Sequence, residues 1–236
     1  MRMWMTVCHD LRFQWRHKFY LIYLLVCTIY LLLLHSIPTD YKATVALLLT
    51  FSDPSALGLI LAGGIVLLEK DQGIHDSLFV TPLRVTEYLL AKACSLALLS
   101  ISSAWAIHLL SIGAPASPFH FTIGILLTSS FFTLLSIGVV VRSQSVNGFI
   151  LLSQLYALPF ALPLLGFFHI GNPYLYMIIP TEGTLLLLKS MIKQPTVAET
   201  MYAIFILLLG NTLVFLWAKR SFQQIILMKI GKGDSG

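Results

Sequence analysis

The stretch LEKDQGIHDSLFVTPLRVTEYLLAK, Leu68–Lys92, parts two long apolar segments and decides how the chain is read. It carries Glu69, Lys70, Asp71, Asp76, Arg84, Glu87 and Lys92, seven charged side chains in a sequence that has 15 basic and 10 acidic residues in all. Gly73 can end or kink the helix leaving the first segment. From Ile74 a short amphipathic helix can run to Val80, with Ile74, Leu78 and Phe79 on one face. Pro82 halts it and pushes Thr81 towards an extended backbone. A charged loop with two exposed large apolar residues invites a docking partner. The alternative is a plain hairpin whose apolar residues rest on the bilayer.

Outward from that loop the chain is oily. It is 57% hydrophobic and 11% charged over 236 residues, with a mean hydropathy of +0.86. Soluble domains carry about 25% charged residues. Several runs approach the roughly 20 apolar residues that cross a hydrocarbon core of about 30 Å. The expected class is an all-α polytopic membrane protein. Its six spans fall at about 19–37, 43–68 (broken near Asp53-Pro54), 85–112, 119–141, 148–170 and 201–218. The division is 1–18 as an N-terminal interfacial helix, 19–218 as the membrane domain and 219–236 as a basic tail. With both termini cytoplasmic, Lys42, Lys189 and Lys193 alone of the 15 Lys and Arg fall outside. Such a bias fixes orientation in the cell membrane. It also accounts for the formal charge of +5 without nucleic-acid binding.

Before the first span, Trp4, Val7, Cys8, Leu11 and Trp15 recur at helical spacing, which suits a helix lying in the interface, though an ordinary basic flank is the other reading. Cys8, Cys27 and Cys94 form neither a metal pattern nor a disulfide framework. The seven histidines make no ligand pair.

Glu69-Lys70, Gly73, Ser77-Leu78 and Val80-Thr81-Pro82-Leu83 resemble the loop after the second span in membrane subunits of type-2 ABC transporters. Asp53-Pro54, Glu87-Tyr88 and Lys92 are similar to the subgroup of fluoroquinolone exporter permeases. The resemblance covers nearly the whole chain. It implies a cytoplasmic coupling helix between spans two and three, with Glu69, Gly73, Ile74, Leu78, Phe79, Thr81, Pro82 and Leu83 engaging a separate ABC ATP-binding subunit. It also implies a dimer, with itself or with a second permease, in the lipid bilayer. The sequence has no G-x-x-x-x-G-K-[ST] phosphate loop, so no ATP cofactor and no enzymatic activity are expected of this polypeptide itself. The implied function is a permease for a drug or other amphipathic molecule. A stand-alone secondary transporter or assembly factor is the competing reading.

Within the membrane, Asp53 is either a cap for a helix restarting at Pro54 or a contact for substrate or ion. Gln154 and Tyr156 are candidates for the translocation path, with Phe131, Phe132 and Phe160 as an apolar lining. Before the last span, Pro180, Thr181 and Glu182 open an apolar helix that Thr181 can cap. It is expected to dip back into the outer leaflet, as an outer gate or as simple packing.

Overall fold

The computed structural model of the chain describes residues 2–53, 58–74, 83–143 and 145–224, and within them it is all-helical. In chain order the helices are α1 (Arg2–Arg16), α2 (Phe19–Ser36), α3 (Thr39–Ser52), α4 (Gly58–Asp71), α5 (Val85–Ser111), α6 (Pro118–Val140), α7 (Val146–Ala161), α8 (Pro163–Phe167), α9 (Pro173–Tyr176), α10 (Pro180–Leu188) and α11 (Val197–Phe222). Five stretches are each long and apolar enough to cross a membrane: α2, α5, α6, α7 with α8, and α11. The segment expected as the second span is instead two helices of 14 residues each, α3 and α4. At about 1.5 Å per residue each is about 21 Å long, too short to cross by itself.

Local chemistry sets many of the ends. Pro118 opens α6 at the first helical position, where its missing N–H costs nothing. The Ser145 hydroxyl accepts from the Gly148 N–H to start α7. Thr196 and Glu199 cap α11 reciprocally, the Thr196 N–H donating to Glu199 Oε2 at 2.8 Å. Pro159 and Pro163 mark the bend between α7 and α8.

Burial orders these elements around α6. In its most apolar window 78% of residues are buried, against 11% for α2. Leu24, Leu32, Phe205 and Leu213 all point outward, a surface for lipid rather than for water. Close helix contact at α6 depends on small residues. A Cβ built at Gly138 would sit 2.0 Å from the ring of Trp217 on α11. That ring in turn supports the Arg142 guanidinium at 4.5 Å.

α1 is set on α5 by one edge of the expected stripe, Val7, together with two polar residues, and its tryptophans stay on the outer surface. Trp4 and Trp15 are 67% and 73% exposed, while Val7, Asp10 and Gln14 are buried against α5.

Candidate functional sites: a buried ion cluster and a membrane cleft

α5 is 27 residues long, about 40 Å at about 1.5 Å per residue, so it overshoots a hydrocarbon core of about 30 Å. Lys92 lies two turns from its start, and its stem runs between helices. The ammonium donates to Asp10 Oδ1 of α1 at 2.7 Å and to Glu69 Oε1 of α4. One turn earlier, the Tyr88 hydroxyl donates to Glu69 Oε2 at 2.6 Å. Asp10, Glu69, Tyr88 and Lys92 are each no more than 3% exposed. Gln14 extends the seam by donating to Ser95 at 3.1 Å. The rings of Phe13 and Tyr88 flank the ammonium at 5.8 and 5.4 Å.

Two carboxylates thus face one ammonium. Desolvation pushes the Asp10 carboxyl above its usual value of 3.8, and only partly does Lys92 pull it back. The cluster ties α1, α4 and α5 into one body directly beside the charged loop. No group of three or more metal-ligating side chains occurs among the described residues.

Of the loop residues, Glu69 is anchored in this cluster. Gly73 adopts φ +65°, the left-handed conformation that favours glycine after a helix end. Ile74 is half-buried, and Leu83 packs against the core formed by Val66, Val85 and Tyr88. Arg84 begins α5, its N–H bonded to Glu87 Oε2 at 2.9 Å. Leu78, Phe79, Thr81 and Pro82, and the short helix drawn through them, lie outside the described residues.

The second site is a cleft of about 760 Å³ bounded by α3, α4, α6, α7 and α8. Phe51, Leu59, Phe132 and Phe160 make its apolar walls, and Ser52 and Gln154 supply polar groups. That volume suits a drug-sized molecule. Gln154, one of the polar residues singled out in the sequence, lies on an open wall of this cleft. Tyr156 is not on that wall; it stacks on Trp217 at 5.6 Å. Phe131 does not line the cleft but meets two of its wall residues, Phe132 and Phe160, edge to face.

Asp53 is fully buried, and its carboxyl contacts Ser103 of α5 at 2.6 Å. Pro54, the start of the helix it was expected to cap, is outside the described residues. Thr181 does not cap α10: Ile179 holds the cap position and Pro180 the first turn. The Thr181 hydroxyl instead donates 2.6 Å across to the Phe160 carbonyl beside the α7–α8 bend. Pro180 packs on Gly210 of α11, and Glu182 is half-buried on α10. α10 itself is wedged into the bundle, with Thr184 bonded to Thr128 of α6 at 2.8 Å.

Sequence reading missed Asp10 and Ser103 as partners. The available signal was a charge in the first turns of an apolar helix, with Tyr88 and Lys92 four apart and so on one face.

A broken, multi-pass helical bundle with an interior ion cluster and an apolar cleft is a membrane transport architecture. Residues 1–230 match the profile of the fluoroquinolones export permease protein family, and the chain belongs to that family. The fluoroquinolones export permease proteins of two strains of Mycobacterium tuberculosis are similar to it. Each is 28% identical over 191 residues, 80% of this chain and 80% of theirs.

Proposed function

We propose that this chain is the permease subunit of an ATP-driven exporter of the ABC class. It forms the translocation path as a homodimer or heterodimer, while a separate ATP-binding subunit hydrolyses the nucleotide. The observation that carries this reading is the family match, which runs from residue 1 to residue 230 and so takes in the charged loop, the ion cluster and the cleft. α3 and α4 together make a sixth crossing, bent at Asp53, which leaves both termini and the Glu69–Leu83 loop in the cytoplasm. α10 enters the outer leaflet and returns.

The Asp10–Lys92–Glu69 cluster supports a coupling role for that loop. A push from the ATPase on residues 70–83 would be transmitted through Glu69 to α1 and α5 together, because breaking the buried ion pair is costly. The cleft, with four aromatic side chains and few polar atoms, suits a planar amphipathic molecule such as a fluoroquinolone, the substrate in the relatives' names.

Gentle purification of the tagged protein from its host tests the reading. A stoichiometric ATP-binding subunit is expected, and Phe79→Asp should abolish its recovery while leaving membrane insertion intact. Purification of the chain without any ATPase would refute it.

A further inference from the structure

Asp53 directly follows the last residue of α3 and is completely shielded from solvent. It forms no ion pair with any described residue. Oδ1 has no hydrogen-bond partner among the described residues. Oδ2 lies 2.6 Å from Ser103 Oγ, and that same oxygen is 3.0 Å from the Ser100 carbonyl. The facing groups are hydroxyls and a thiol. Tyr23 of α2 approaches Ser100 at 3.5 Å, Ser100 meets Ser129 of α6 at 3.1 Å, and Tyr30 of α2 meets Ser52 at 3.4 Å. Tyr23 and Cys27 are the titratable groups of α2 on which Asp53 acts electrostatically. α5 and α6 bring no charged side chain to it.

Ser103 has one hydroxyl hydrogen and two neighbours. The Ser100 carbonyl can only accept. If Asp53 were ionised, Ser103 would turn its hydrogen to the carboxylate, and a bare charge would remain buried with one neutral hydrogen bond. If Asp53 carries a proton, its O–H donates to Ser103 Oγ and the Ser103 O–H donates to the Ser100 carbonyl. Every hydrogen then has an acceptor and no charge is buried.

We propose that Asp53 is a proton-binding site of the membrane domain, loaded in this conformation and emptied when the adjoining cleft wall opens to water. The link to the cleft is covalent: Phe51 and Ser52 line the cleft, and Asp53 is the next residue of the chain, itself fully buried. The site stands apart from the ATPase reading, since it needs no partner subunit.

The test is infrared spectroscopy of the purified full chain in lipid nanodiscs at pH 7. A protonated-carboxyl C=O band that shifts in D2O is expected in the wild-type minus Asp53→Asn difference spectrum, where any band from another carboxyl cancels. Asparagine keeps the shape of the neutral acid and can donate to Ser103, so this variant should fold. Absence of the band in the wild type, or a carboxyl region left unchanged by Asp53→Asn, would overturn the assignment. For the link to the cleft, Ser52→Cys in a background with Cys8, Cys27 and Cys94 changed to serine would be alkylated with an ammonium-bearing thiol reagent. Loss of the band on modification is expected. An unchanged band on the fully modified protein would overturn the coupling.

Discussion

Replacing Lys92 by Met preserves the stem of the side chain and removes its charge, leaving Asp10 and Glu69 buried together. With both carboxyls desolvated and no cation between them, at least one must give up its charge. Protonating a carboxyl of ordinary pKa about 4.3 at pH 7 costs about 1.36 kcal/mol for each of about 2.7 units, or about 3.7 kcal/mol. This falls within the roughly 3–5 kcal/mol measured when one partner of a buried pair is removed. The penalty should shrink by about 2.7 kcal/mol on going to pH 5, because protons become a hundredfold more available. Adding Glu69→Gln should recover most of the loss at pH 7. Chemical denaturation in nanodiscs at the two pH values measures all three effects. A loss under about 1 kcal/mol, or one that does not change with pH, would refute the charge balance assigned to this cluster.

Other outcomes follow from the same geometry. Tyr88→Phe strips Glu69 of its neutral donor and should cost about 1–3 kcal/mol in unfolding experiments. Asp10 has a raised folded-state pKa, so its contribution is complete below the unfolded value of 3.8 and is lost as pH rises through the folded value. Asp10→Asn should therefore flatten that part of the stability–pH curve and gain on the wild type at higher pH. Gly138→Val forces Trp217 off α6, and a cost of about 1–3 kcal/mol is expected from thermal unfolding. Gln154→Leu removes a polar group from the cleft wall and should weaken drug binding in a direct titration while leaving stability within about 0.5 kcal/mol.

How much of this was legible beforehand varies by residue. The Leu68–Lys92 stretch pointed to Glu69 and Gly73, because an acidic residue at a helix end and a glycine just past it have local signatures. Gln154 was legible as a polar residue in an apolar run. The packing face of α1 was not, since Asp10 and Gln14 meet partners 82 and 81 residues away and no local period encodes that. Thr181 had the right residue type for a cap, yet the Phe160 carbonyl near a proline bend claimed its hydroxyl.

By itself the sequence determined that this is a helical membrane protein with a charged loop between apolar segments. Those properties are sums over windows of side chains, and the bilayer acts on each window separately. Only the tertiary structure decided that one lysine serves two carboxylates, that Asp53 faces Ser103 and that a cleft opens beside Gln154. Each of these depends on which helices lie side by side, and that is settled by interhelical packing at small residues and by the pull to pair buried polar groups.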